Sequence, residues 1–323
     1  MCTGISITGS RHYFGRNLDL EYDFGPQVTI TPRTYPLHFS EEEGTSDHYA
    51  MIGMASVMDN YPLYAEAINE KGLGMAGLHF AMYGGYPAPQ KDSTYKVAPY
   101  EFIPWLLSQC ATLEEAEAKL SKLTLTDTPF SAQIPNSKLH WLISDASGLL
   151  VVEPMTDGLR IEKNPYGVLT NDPPFTYHST NLNFYLNVTA QSPEDRFGGS
   201  FDLKTMGKGA GGYGLPGDYT SASRFVRIAF NCANSKCDKT EEAEIAQFFH
   251  LLDSVAQVRG AVLTEDGKPW YTRYSCCMYE SRFLYKTYEN NQITVFDMQN
   301  EDLDASELKV YPLEKTQPLA KGN

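Results

Sequence analysis

Residues 1–25, "MCTGISITGSRHYFGRNLDLEYDFG", set two strand-like segments, "GISIT" and "HYFGRNL", directly behind a cysteine at position 2. A small residue at position 2 permits removal of Met1, and Cys2 would then carry a thiol beside the chain's own α-amine. That amine has an unperturbed pKa of about 7.7–8.0, so about a tenth of it is neutral at pH 7. Base and nucleophile would share one residue, as in the N-terminal threonine arrangement. Taken alone, Cys2 reads as readily as the second residue of a frayed end. The strand that follows favours the first reading, because a terminus tied into a sheet is held in place. Arg16 and Asp19, three residues apart in "FGRNLDLEYDFG", could orient such an amine or form an ordinary ion pair.

Beyond this stretch, 42% hydrophobic and 20% charged residues describe a globular chain with enough apolar material for a core. Forty acidic against 26 basic residues give a formal charge of −14, which argues against nucleic acid or an anionic membrane surface as partner. An anionic substrate would need local cations and apolar contact. The six cysteines, at 2, 110, 232, 237, 276 and 277, form no CxxC pair and no disulfide framework, as expected in a reducing compartment. No secretory h-region opens the chain, so the expectation is a cytoplasmic protein with Cys2 at its mature end.

Further strands are predicted at "QVTITP", "YAMIGMAS" and "GLGMAGLHF", then a helical pattern over 97–123 in which Thr112 and Glu115 suit a capping box. "SKLHWLISD" and "LLVVEP" read as a hairpin about Ala146-Ser147-Gly148, and "YGVLTN" as a short strand. The Gly-rich "GKGAGGYGLPG" (207–217) lacks the GxxxxGK[ST] of a phosphate loop and gives way to the helix "SASRFVRIAFNCAN". A helix over 240–258 has Thr240 as N-cap, and two or three strands follow from Trp270. No repeat or linker divides the chain, so one domain with inner sheets and outer helices is expected.

"MCTGISI", "FGRNLDLEYDFG", "NEKGLGMAGLHF", "IPNSKLHWLISD", "GVLTNDPPF", "GLPGDYTSASRFVRIAF" and "TYENNQITVFDM", in this order, resemble the choloylglycine hydrolase family, most closely its bile salt hydrolases. The resemblance runs from residue 2 to about 300. It implies an α+β, four-layer αββα sandwich of the N-terminal-nucleophile hydrolase type, a single domain over 2–323 with Met1 removed, which cleaves the amide of an N-acyl substrate. Cys2 would be the nucleophile and its α-amine the base. Asp19 would hold that amine, and Arg16 would set a positive charge by the thiol. Asn171 matches the side-chain donor of an oxyanion hole and Arg224 the remaining active-site arginine. His79 stands where bile salt hydrolases usually carry Asn and penicillin V acylases Tyr; its backbone N–H would complete the oxyanion hole whatever the side chain, whereas a side-chain contribution would make activity pH-sensitive.

Leu18, Met58, Phe130 and Ile134 match steroid-lining positions, although apolar residues are more often core. Ala210, between Gly209 and Gly211, borders the amino-acid end of the site, and this Gly-X-Gly resembles members that favour taurine conjugates. The implied substrate is a conjugated bile salt and the implied assembly a homotetramer, with no cofactor, metal, nucleic acid or membrane involved. Penicillin V or another N-acyl amide is the second enzymatic reading. A steroid-binding protein with an incidental Cys2 is the non-enzymatic one. Glutamine amidotransfer also uses a cysteine after Met1, but this chain has no spare length for a synthase domain.

Overall fold

The structure is a computed structural model that describes residues 1–86 and 94–322. Its organisation starts in the opening stretch. β1 (Cys2–Thr8) and β2 (His12–Leu20) pair antiparallel, with Cys2 opposite Leu18 and Gly4 opposite Arg16. Side chains on a strand alternate between faces, and here both faces are covered. Gly4 and Phe14 meet a second sheet, since a Cβ at Gly4 would lie 2.5 Å from Leu142 Cδ1 and one at Gly74 would lie 2.7 Å from Phe14 Cδ1. Tyr13 and Asn17 point the other way, to Phe248 and the Leu252 carbonyl. Gly15 is obligatory between them, because a Cβ there would overlap the Cys276 carbonyl.

The chain continues through β3 (Gln27–Thr31), β4 (Met51–Met58), β5 (Tyr61–Asn69), β6 (Gly74–His79) and β7 (Tyr95–Val97) to α1 (Phe102–Leu107) and α2 (Leu113–Leu120). Next come β8 (Leu123–Leu125), β9 (Leu139–Asp145), β10 (Gly148–Met155), β11 (Gly158–Lys163), β12 (Val168–Leu169) and α3 (Phe175–Asn181). The last part holds α4 (Ser221–Asn234), α5 (Glu241–Asp253), β13 (Val262–Leu263), β14 (Pro269–Tyr279), β15 (Arg282–Thr287), β16 (Thr294–Asp297) and β17 (Lys309–Pro312). One sheet runs β12-β1-β2-β14-β15-β16, with β13 on β14, and the other runs β11-β10-β9-β6-β5-β4-β3-β17. They pack through β1 and β2 on β6, β14 on β5, and β15 on β4. α1 and α2 cover β5, β6, β9 and β10, while α4 and α5 cover β1, β2, β12 and β14. This is the expected αββα sandwich, each sheet burying one face on the other and one on helices.

Several elements differ from the sequence reading. β5 was not expected, because Pro62 and Glu66 interrupt its apolar pattern; yet Asp59 and Asn60, at φ 50° and 58°, make the two-residue turn that joins it to β4. α1 is only six residues long and starts at Phe102, with Pro104 in its first turn, where a missing N–H costs nothing. At α2, Thr112 Oγ1 accepts from Glu115 N at 3.2 Å as a cap should, whereas Glu115 Oε2 takes the N–H of Ala111 rather than of Thr112. α5 stops at Asp253, short of 258. None of the described helices is long and apolar enough to cross a membrane.

The hairpin that carries Cys2 is tied to α5 by one buried carboxylate. Glu244 accepts from Ser10 N (2.6 Å), Ser10 Oγ (2.5 Å) and Tyr13 OH (2.8 Å). Glu244→Gln turns one acceptor into a donor facing donors. It should lower unfolding free energy by roughly 1–3 kcal/mol, read from urea titration at neutral pH.

Candidate active site

Cys2, 4% exposed, opens β1 on the side facing the second sheet, and Arg16 on β2 lies two residues along that same face from Leu18, its partner in register. The Arg16 guanidinium is buried, with Nη2 donating to Cys2 Sγ, Nη1 to the Gly77 carbonyl and Nε to Asn17 O at 3.3 Å. Nη1 also reaches Glu66 Oε2 at 3.4 Å across the gap between the sheets. Burial works against the charge of Arg16, and the neighbouring Cys2, Glu66 and Tyr274 outweigh it, so its pKa is raised.

Asn171 follows β12 at the edge of the first sheet. Its Oδ1 accepts from Cys2 N (2.7 Å) and Arg224 Nη2 (2.7 Å), while its Nδ2 donates to His79 O (2.8 Å). Two partners on one side can only donate and the partner on the other can only accept, which fixes the amide orientation. Arg224, from the first turn of α4, also donates Nη1 to Cys2 O and Thr3 Oγ1, both at 2.6 Å. His79 ends β6. Phe80 N donates to Lys138 O on the β9 side, so by the alternation of an antiparallel ladder the N–H and C=O of His79 face the opposite side. There the β5 ladder has already stopped at Ala76, and the His79 carbonyl meets Asn171. Burial pushes the His79 imidazole below its ordinary pKa, with the nearby terminal amine acting the same way.

Met1 continues the β1–β2 ladder one step past Cys2. Its amine donates to Asp19 O (2.9 Å) and its carbonyl accepts from Asp19 N (3.0 Å). Burial pulls that amine down to about 6, against the attraction of Cys2 and Asp19. The Asp19 carboxylate is held from behind by Thr272 Oγ1 (2.6 Å) and Gln257 Nε2 (3.2 Å). With Met1 in place, Asp19 thus meets the terminus through its backbone.

Cys2 and Arg16 sit in the wall of a cavity of ≈ 340 Å³ lined also by Leu18, Phe24, His79, Leu139 and Trp270. A second cavity of ≈ 180 Å³, walled by Tyr100, Phe130 and Ile134, shares Ala65, Ser137 and Leu139 with the first. The structure therefore brings Cys2, Arg16, Asp19, His79, Asn171, Arg224 and Leu18 together and sets Phe130 and Ile134 next door. Met58, on the β4–β5 turn, and Ala210, in a short 3-10 turn after Gly209, line neither cavity.

An αββα sandwich that presents a cysteine from the first strand, under a guanidinium and beside an amide, defines the N-terminal-nucleophile hydrolase class. The chain matches the family model described as linear amide C–N hydrolases, choloylglycine hydrolase family, over residues 2–311. It is 45% identical over 315 residues to a bile salt hydrolase/transferase of Lactiplantibacillus plantarum, covering 97% of each chain, and 40% identical over 324 residues to that of Clostridium perfringens, covering 98% of each. A crystal structure of a variant of conjugated bile acid hydrolase from Clostridium perfringens superposes with TM-score 0.92, 38% identity and full coverage of both chains. Penicillin V acylase from Agrobacterium tumefaciens, at TM-score 0.74 and 21% identity over 96% and 90% of the chains, shares the fold. This protein belongs to the choloylglycine hydrolase family and is a hydrolase of linear amide C–N bonds.

Residues behind Asn171 went unread in the sequence. His178 Nε2 donates to Asn171 O (2.9 Å), His140 Nε2 to Thr170 O (3.0 Å), and Ser221 Oγ accepts from Asn171 N (2.8 Å). The carboxylate of Asp172 takes Met82 N (2.9 Å) and Tyr83 N (3.1 Å), tying the loop after His79 to the same corner. Nothing in "TYHST" or "KLHWL" marks these histidines, because the carbonyls they meet carry no side-chain signature.

Burial holds the His178 imidazole down at about 4 from an ordinary 6.5. The unfolded chain takes up this proton as pH falls through about 6.5, whereas the folded chain resists until about 4. Stability from this group is whole above 6.5 and lost towards 4, by up to about 3 kcal/mol. His12, also depressed by burial, adds to the same slope. His178→Gln should flatten His178's share in urea midpoints measured between pH 4 and 7.

Proposed function

We propose that this enzyme hydrolyses the amide of glycine- or taurine-conjugated bile salts, with Cys2 as N-terminal nucleophile once Met1 is removed. The observation that carries the reading is the Cys2 thiol, under the Arg16 guanidinium, in the wall of a largely apolar cavity. The two relatives at 45% and 40% identity are both named for bile salts, which supports the substrate class. A steroid buried in such a cavity contributes about 25 cal/mol per Å2 of apolar area, a term indifferent to the protein's acidic charge.

In the mechanism, the Cys2 thiolate attacks the amide carbonyl carbon. The resulting oxyanion takes the second N–H of Asn171 Nδ2 and the N–H of His79. The protonated α-amine of Cys2 gives its proton to the leaving nitrogen, the C–N bond breaks, and a thioester remains. Water, deprotonated by the same amine, attacks the thioester and frees the bile acid and the thiolate. Asp19 holds the amine, and Arg224 keeps Asn171 turned towards it. Leu18, Phe130 and Ile134 accommodate the steroid, whereas Met58 and Ala210 lie outside both cavities, so the family resemblance alone supports their contact with substrate and the preference for taurine. The reading includes one domain from residue 2 to 323, a cytoplasmic location supported by six unpaired cysteines, and no cofactor.

Cys2→Ala should abolish release of glycine and taurine while leaving the thermal midpoint near that of the parent, and Asn171→Ala should lower kcat by roughly 10²–10³-fold. Intact mass should show Met1 absent from active enzyme. Hydrolysis at the parental rate in Cys2→Ala would refute the mechanism. In a panel of taurine conjugates, glycine conjugates and penicillin V, faster turnover of glycine conjugates would refute the taurine preference, and faster turnover of penicillin V the substrate class.

The same reading includes a homotetramer. Phe184, Leu186, Phe197, Phe201 and Met206 are 63–99% exposed in one stretch of chain, and large apolar side chains left to water are what a subunit contact would cover. Sedimentation should give four copies, and Phe201→Asp with Met206→Asp should give smaller species.

A further inference from the structure

Glu66 occupies the middle of β5, and its carboxylate is fully buried between the two sheets. Both oxygens face donors: Oε1 takes the hydroxyl of Tyr274 at 2.7 Å and Oε2 takes Arg16 Nη1 at 3.4 Å. A guanidinium has no acceptor, so Oε2 can direct no proton towards Arg16, and an ionised carboxylate satisfies both contacts. Burial pushes the Glu66 carboxyl up, and Arg16 and Tyr274 work against that.

The groups that face Arg16 are Cys2 from β1, Glu66 from β5, and Tyr274 and Cys276 from β14. Asp19, on the same strand as Arg16, turns to the opposite face. One cation thus faces two groups, the Cys2 sulfur and the Glu66 carboxylate, through different nitrogens. Nη2 donates to the sulfur, and Nη1 is divided between Glu66 and the Gly77 carbonyl. A buried guanidinium without a counter-charge is costly. If it bore on the thiolate alone, it would produce a more readily formed but less nucleophilic sulfur.

We infer that Glu66 is a positioning residue of the amide-hydrolysis site: by sharing the Arg16 guanidinium with Cys2, it holds Arg16 beneath the sulfur and limits how far the thiolate is stabilised. The inference rests on the reading of Cys2 as nucleophile.

The test uses the mature, Met1-free enzyme. Iodoacetamide alkylation of Cys2 is followed across pH by the mass of the N-terminal peptide, alongside kcat and KM on a conjugated bile salt. Glu66→Gln keeps the shape and the Tyr274 contact but removes the charge. Its alkylation inflection should move about one pH unit lower, its plateau rate and kcat should fall about threefold, and KM should stay within twofold. Glu66→Asp retains a counter-charge farther from Arg16 and should move the inflection the same way by less. A purely structural residue would cost activity at every pH without moving the inflection. An inflection unmoved or raised in whichever variant folds, or failure of both to fold, overturns the inference. Alkylation needs no substrate, so these outcomes are separate from a failed bile salt assay or an active Cys2→Ala enzyme.

Discussion

A guanidinium that is 1% exposed between two β-sheets is the constraint around which the rest of this structure is arranged. Removing a charge from water costs several kcal/mol unless partners replace the lost hydration. For Arg16 they come from four strands: the Cys2 sulfur on β1, the Asn17 carbonyl on β2 itself, Glu66 on β5 and the Gly77 carbonyl on β6. The last two belong to the opposing sheet. The pairing therefore acts across the sandwich as well as on the sulfur, and it fixes the height of β6 against β1. That same height brings His79, two residues beyond Gly77, to the Asn171 amide.

A second buried arginine does the corresponding work from the helix side. Arg224 reaches from α4 to the Cys2 carbonyl, the Thr3 hydroxyl and the Asn171 amide at the edge of the first sheet. With Arg16 on the inner face and Arg224 at the outer edge, the first residues of β1 are held from both sides. Asn171 is in turn held along its backbone by His178 and Ser221. A donor placed by five separate contacts loses little freedom when charge develops on a neighbouring oxygen, which is the condition for electrostatic preorganisation.

Much of this was legible in the sequence, for reasons that differ by residue. β1 and β2 announced themselves through β-branched and aromatic residues, and the capped helices through Thr112 and Thr240. Cys2, Arg16 and Asp19 lie close together along the chain, so one short stretch suggests their chemistry. Asn171, Arg224 and His79 are far apart in sequence, and only resemblance to a family singled them out. Glu66 was invisible because a carboxylate lowers the strand propensity of the segment that carries it, and what makes that burial tolerable is Arg16, 50 residues away. His140 and His178 were invisible for a similar reason, since each answers a backbone carbonyl, and the Glu153 carboxylate that His140 also meets lies on the next strand. α1 was drawn too long because apolar spacing does not show where prolines confine a helix.

The ladder past Cys2 ties the fold to the proposed chemistry. With Met1 attached, the nitrogen beside the thiol is an amide, which donates to Asn171 Oδ1 but has no basic lone pair. Loss of one residue turns that amide into an amine without requiring β1 to move, because Cys2 keeps its place opposite Leu18 and its contacts with Arg16 and Arg224. One step further along the same ladder, the Met1 amine is pulled down to about 6 by burial, with Cys2 and Asp19 opposing and the two arginines assisting, so this corner is already charged on several sides. An amine placed on Cys2 sits within reach of both the thiol and the Asn171 amide, where one group can serve as base in one step and acid in the next.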